Sequence, residues 1–237
     1  MLFQDFSRRS TLPEMMDQPI TDRQVFFRNL RELETINRLT GGPRLGFRAI
    51  HRLLRPIRRE VHIVDIGFGA GDMLAFLLEH AHELPCPIRL TGIDILPETL
   101  DYIRTFHPSL PGQVSLDVCD YRDWFASGRS ADIIHAGLFC HHLDDESLVS
   151  FFRLCRQARI GTVVNDLVRA PLPYYFIRAA TACLAGSAFT RHDAPLSVLR
   201  AFRRHELVSL LHAAGIRQYS LQWKWAYRYL LTFPSDL

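Results

Sequence analysis

Five short runs of apolar and β-branched residues recur along the chain after residue 60: VHIVDI (61–66), PIRLTGIDI (87–95), QVSLDV (113–118), ADIIHA (131–136) and IGTVVND (160–166). Helix-type sequence fills each gap, and this alternation constrains the fold more than any other feature. A helix between two strands carries the chain back to where it started, so the next strand runs parallel to the last. A parallel sheet is covered by helices on both faces, which is why several of these runs are apolar throughout instead of alternating. The expectation is a doubly wound α/β fold. The rhythm breaks at IRQYSLQWKWAYRYLLTF (216–233), where two strand-like segments adjoin with a break near Gln222–Lys224. That connection is too short for a crossover, so the last strand runs antiparallel.

Two helices precede the first strand. The first starts from Thr21 as N-cap, places Phe26, Leu30 and Leu33 at helical spacing and stops at Gly41. The second sets Arg44, Arg48, Arg52 and Arg55 on one face, opposite Phe47, Ile50 and Leu54, and Pro56 ends it. The sequence therefore divides into an N-terminal helical lid, residues 1–59, and a main domain, residues 60–237, with an insertion at about 167–196 marked by Pro171, Pro173 and Pro195. With 28 basic and 25 acidic residues the net charge is only +3, which argues against nucleic acid as a partner on bulk electrostatics. The five cysteines form no CxxC pair, so neither a disulfide framework nor a metal site is expected, and a cytoplasmic location fits. The most apolar tract, residues 174–189, is broken by Arg178 and is too short to cross a bilayer, although peripheral contact with one stays open.

The first strand runs into VDIGFGAGD (64–72), a glycine loop behind a buried strand. Its glycines read GxGxG and not the GxGxxG of dinucleotide-binding loops, and no GK[ST] follows as a P-loop requires. Asp65 and Asp72 would also repel a pyrophosphate, whereas a cationic cofactor suits them. The stretch resembles the first motif of class I S-adenosylmethionine-dependent methyltransferases, and the order of elements from Val61 to Phe233 is similar to that family's seven-stranded sheet. The resemblance implies S-adenosylmethionine as cofactor. It puts Asp65 near the cofactor's amino end and Gly67, Phe68, Gly69 and Gly71 close against its methionine part. Asp94 would accept the ribose hydroxyls, with Ile95 beside it. Asp120 would face the adenine amino group, flanked by Cys119 and Tyr121, with Asp117 and Asp123 as rivals. Ala136 and Gly137, at the end of the fourth strand, would border the methionine portion.

Transfer of a methyl group from a sulfonium needs an acceptor held in line and, for a hydroxyl or activated carbon, a base. His141 and His142 follow the fourth strand and carry imidazoles, the side-chain type suited to a base at neutral pH, and Asp166 emerges from the fifth; the alternative for the histidine pair is shaping the loop. NDLVRAPLPYY (165–175) resembles a small-molecule methyltransferase subgroup, which puts Asn165, Arg169, Tyr174 and Tyr175 at the acceptor, with His192 near the mouth. The expected activity is methylation of a small, largely apolar acceptor (phenolic, polyketide-like or quinone-type) at oxygen or carbon. The alternatives are an RNA methyltransferase using the Arg44–Arg59 face and a non-catalytic cofactor-binding subunit. The oligomeric state is left open.

Overall fold

The computed structural model describes residues 4–235. Its helices are α1 (Arg23–Leu39), α2 (Gly42–Leu54), α3 (Asp72–Glu79), α4 (Pro97–Phe106), α5 (Tyr121–Ala126), α6 (Asp145–Cys155), α7 (Pro171–Leu184), α8 (Ala188–Arg200) and α9 (Arg204–Ala213). Its strands are β1 (Val61–Ile66), β2 (Ile88–Asp94), β3 (Ser115–Val118), β4 (Ile133–Gly137), β5 (Gly161–Leu167), β6 (Ser220–Lys224) and β7 (Arg228–Pro234). They form one seven-stranded sheet in the order β3-β2-β1-β4-β5-β7-β6. β1 to β5 pair parallel, while β7 lies antiparallel to both β5 and β6. This is the doubly wound fold expected from the alternating runs, closed by an antiparallel strand.

β1 shows why these runs are continuously apolar. All six of its residues are buried. Val61 and Ile63 pack with Phe47, Ile50 and Leu54 of α2 and Leu74 and Leu77 of α3, while Val64 and Ile66 pack toward Trp124 of α5 and Phe151 and Phe152 of α6. Burying each such side chain stabilises the fold by about 1.5–3 kcal/mol, so a polar residue on either side of this strand would be costly.

Two boundaries differ from the sequence expectation. Asp22, not Thr21, caps α1: its carboxylate accepts from the amides of Gln24 and Val25. The break between the last two strands falls at residues 225–227, not at Gln222–Lys224, because Gln222 pairs with Leu230 and Lys224 with Arg228 within the hairpin.

The N-terminal residues divide between two roles. α2 is a layer of the core beneath the sheet. The residues before it run along the carboxyl edge: Ser10 donates to the Leu199 carbonyl, Arg9 reaches the carbonyls of Leu143 and Arg200, and a short turn forms at Met15–Asp17. This strap lays Met16 and Ile20 against a cluster of Phe26, Leu30, Tyr102 and Ala70, the last from the glycine loop. The insertion supplies α7 and α8, and α8 is tied to α1 by Thr190 donating to Asn29 Oδ1 at 2.9 Å.

Candidate active site

Strand order reverses between β1 and β4, each of which has a neighbour on its far side, and such a switch point opens a crevice beyond the carboxyl ends of the strands. The glycine loop closes one wall of it. Gly67 has φ +70°, and a Cβ there would come 2.6 Å from the Phe139 ring. Both facts demand glycine. Asp94, at the end of β2, holds the loop in place: its carboxylate accepts from Gly69 N at 2.9 Å and from Leu96 N at 3.0 Å. Burial raises its pKa against the lowering effect of those two amides.

Beneath the loop lies a small polar cleft lined by Asn37, Gly42, Asp65, Gly67, Asp72, His135, Gly137 and Asn165 among others. Register explains its floor, since Asp65 stands opposite His135 across the β1–β4 pair, and their side chains bond at 2.6 Å. Asp72 accepts from Asn37 Nδ2 at 2.6 Å, and burial pushes its pKa up to about 6, assisted by the charges of Asp65 and Glu34. Five buried polar atoms here have no hydrogen-bond partner: Asn37 Oδ1, His135 Nε2, Asn165 Oδ1, and Nε and Nη1 of Arg228. Arg228 is 2% exposed and donates to Thr40 Oγ1 from Nη2; its Nη1 would stand 3.2 Å from a Cβ on Gly42, in the cleft wall. Unmatched donors and acceptors of this kind are costly unless a ligand completes them.

A second cluster stands beyond β4. Leu138 is held with φ +53° and donates its amide to the Asn165 carbonyl, which turns the chain into the short helical turn bearing His141 and His142. Left-handed backbone in a leucine is strained and is found where surrounding structure fixes it. His141 is buried, with Nδ1 2.7 Å from Asp166 Oδ1. Asp166 is kept below the ordinary carboxylate range, although burial opposes it, by His141 and the Leu167 amide. His142 Nδ1 lies 2.9 Å from Asp17 Oδ1. Glu14 faces the pair, its Oε1 3.7 Å from His141 Nε2, and desolvation lifts its pKa to about 7. Sequence reasoning missed Glu14, Asp17 and Arg228. The first two lie in a segment without periodicity, and the third reads as an ordinary strand residue.

Residues 63–159 match the family model described as a methyltransferase domain. That segment is similar to a methyltransferase domain, and the sheet around it has the class I methyltransferase fold. No curated protein matches it in sequence. Among solved structures, the plantazolicin methyltransferase BpumL in complex with SAH is 15% identical, with 91% of this chain and 94% of that one covered, at TM-score 0.64. An inferred O-methyltransferase from Nostoc punctiforme is 14% identical at TM-score 0.62; 96% of this chain is covered, but it spans only 64% of that protein. An O-methyltransferase family 2 protein from Planctomyces limnophilus, in complex with apigenin, is 16% identical at TM-score 0.52, with 75% and 50% covered.

The fold brings most of the sequence-predicted residues to this edge, but not all in the expected state. Asp65, Gly67, Phe68, Gly69, Gly71, Asp94 and Gly137 surround the loop and cleft, while Ala136 is a buried strand residue of the core and Ile95 is exposed. Asp120 caps α5 through the Arg122 amide and forms an ion pair with Arg122 at 2.5 Å, which holds it below the usual carboxylate range. Of its rivals, Asp117 is engaged by Trp124 and Arg129, and Asp123 is exposed. Tyr121 sets its ring edge-on to Phe139 and Phe151, and Cys119 is partly buried against the same core. Asn165 donates to the Gly42 carbonyl.

Arg169 requires a correction as an acceptor-binding residue. Its guanidinium is buried and enclosed by the carbonyls of Phe6, Ser7 and Ala201 and by Glu206, so it ties the strap to α9. Tyr174 packs with Phe6, Leu196, Val198 and Leu199 in a small core of its own, and Tyr175 faces outward at 45% exposure. His192 bonds Asp193 at 2.7 Å on the surface of α8. Arg48, Arg52 and Arg55 line a hollow with Phe47, His51 and Glu83 that shares no residue with the cleft. Among the described residues no helix is long and apolar enough to cross a membrane.

Proposed function

We propose that this methyltransferase transfers a methyl group to a small, largely apolar acceptor, phenolic or similar, at oxygen or carbon. The observation that carries the reading is the set of unpartnered polar atoms around the glycine loop, with the Glu14–His141–His142 cluster across the same edge. Bound S-adenosylmethionine supplies an electrophilic methyl group on a sulfonium. The cleft suits the ionic end of that cofactor, since carboxylates of Asp65 and Asp72 face an ammonium while Arg228 presents two free donors to a carboxylate. Asp94 offers its remaining lone pairs to ribose hydroxyls, and Asp120 stands where an adenine amino group would donate.

On this reading the acceptor lies under the strap, and its proton leaves at the histidine pair. Asp166 and Asp17 fix the ring orientations, so each imidazole presents Nε2. Met16 and Ile20, packed near Ala70, give the enclosure an apolar side and exclude water. An enclosed site favours a small molecule over a polymer, and the arginine hollow on α2 lies apart from it. The complex of the Planctomyces protein with apigenin, a phenol, agrees with this acceptor class.

The test is calorimetric titration with S-adenosylmethionine, followed by mass-spectrometric screening of phenols and enolisable ketones for gain of one methyl. Binding of the cofactor with a methylated product supports the reading. Absence of cofactor binding refutes it, and binding without transfer to any small acceptor moves the protein to the class of silent partner subunits.

A further inference from the structure

Glu14, His141 and His142 come from the strap and from the turn after β4, yet one ligand-type atom of each lies within 4.8 Å of the other two. Glu14 and His141 are 1% and 3% exposed. The rings of His141 and His142 stand side by side, with centroids 4.3 Å apart. Each ring has its Nδ1 engaged by a separate aspartate, Asp166 at 2.7 Å and Asp17 at 2.9 Å. A carboxylate on one ring nitrogen fixes the tautomer and leaves the other lone pair free, which is the arrangement found around metal-ligating histidines. The 3.7 Å from His141 Nε2 to Glu14 Oε1 is too long for a hydrogen bond. With bonds of about 2.0–2.2 Å, two ligands of one tetrahedral ion stand roughly 3.4 Å apart.

Charge points the same way. The carboxylates of Glu14, Asp17, Asp166 and Asp193 gather here; Asp193 accepts from the amides of Met15 and Met16 directly beside Glu14. Facing Glu14 and Asp17 is the Arg200 guanidinium, 3.7 Å and 3.2 Å away, which also donates to the carbonyls of His141 and His142. Arg9 is directed instead at Asp145 and backbone carbonyls. Arg228 bears on Asp166 and His192 on Asp193, which leaves Glu14 and Asp17 to share the Arg200 guanidinium.

We propose that Glu14, His141 and His142 form a binding site for a divalent first-row cation, Zn²⁺ in the first instance, through Glu14 Oε1 and the two Nε2 atoms. Two imidazoles and one carboxylate with a fourth position open are the ligand set of catalytic rather than structural zinc sites. The site stands independently of the reaction. Its role rests on the methyl-transfer reading and replaces the imidazoles as base there: with both Nε2 atoms on the ion, an acceptor hydroxyl at the open position is acidified by the cation and loses its proton to solvent. Sequence spacing hides it because the carboxylate ligand belongs to a segment far from the histidines.

The experiment is titration of the full chain, stripped with EDTA and dialysed, with Co²⁺ followed by visible absorption and competed with Zn²⁺. One saturable equivalent giving a tetrahedral-type band, displaced by Zn²⁺, is expected. Glu14→Gln and His142→Gln should weaken it by at least about 100-fold and Asp17→Asn by about 10–100-fold, while His82→Ala, on the exposed surface, leaves it unchanged. Circular dichroism melts verify that each variant is folded, and Asp17→Asn keeps the test alive should Glu14→Gln not fold. Absence of a saturable band, or equal binding by wild type and His142→Gln, overturns the proposal. S-adenosylmethionine calorimetry on the same samples separates this failure from failure of the methyl-transfer reading.

Discussion

Arg228→Met should make the empty protein more stable and the liganded protein weaker. The guanidinium is 2% exposed, two of its nitrogens are unpartnered, and burial lowers its pKa to about 10 despite the charges of Asp166 and Asp72, so it is still cationic at neutral pH. Each unmatched buried donor costs about 1–3 kcal/mol. Against a total of roughly 2–6 kcal/mol stand the bond to Thr40, worth about 1 kcal/mol, and the attraction of the two aspartates. Methionine fills similar space without polar demands. The expected net is a gain of about 1–3 kcal/mol, which at this chain length raises Tm by several degrees, about 2–4 °C per kcal/mol. Affinity for S-adenosylmethionine should move the other way. Removing one side of a buried charge pair costs about 2–5 kcal/mol, or a loss of at least about 30-fold. Thermal melts without ligand and calorimetry with it read both arms. A lowered Tm together with unchanged affinity would show that Arg228 is satisfied in the free protein and has no part in the cofactor cleft.

Three further outcomes follow from the same geometry. Asp94→Asn should weaken S-adenosylmethionine binding by about 10–100-fold, or roughly 1.4–2.7 kcal/mol, with an unchanged circular dichroism spectrum; unaltered affinity would remove Asp94 from the site. His142→Ala should lower turnover by about 10²–10⁴-fold while calorimetry finds cofactor affinity within about threefold of wild type. Burial lifts the folded-state pKa of Asp72 to about 6 from the ordinary aspartate value of 3.8. The folded state therefore keeps a proton that the unfolded chain releases between these values, and stability from this group is lost as pH rises through about 6. The cost above that pH is about 3 kcal/mol. About half of this cost, roughly 1.4 kcal/mol, sets in between pH 5 and pH 8; urea unfolding at these two pH values should show Asp72→Asn closing most of that difference, and an equal difference in wild type and variant would refute the assignment.

Much of the fold was legible because local pattern and global fold agree. VHIVDI coincides with β1 residue for residue, and the break near the end of the chain does introduce an antiparallel strand. The errors lie where two plausible residues compete for one role. Thr21 and Asp22 are both good caps, and only the turn geometry selects the second. Arg169 shows the larger difficulty: its position after β5 is right for an acceptor contact, but the strap and Glu206 reach it first. The cofactor loop was readable because a single short stretch carries it. The acid cluster was not, because Glu14, Asp17, Asp166 and the histidines meet only through long-range packing.

The strap has a consequence for how a chain of this kind could diversify. The loops after β1 and β2 are anchored in the sheet, where Gly67 admits no side chain and Asp94 ties the two loops together. Glu14, Met16, Asp17 and Ile20 belong to a peripheral segment fastened to α8 and the loop after β4 by a handful of polar contacts. On the proposed function, selection acting on that segment, together with α7 and α8, would rewrite acceptor preference while the methyl donor stays fixed, with the chemistry kept in the core and the choice of target at the margin.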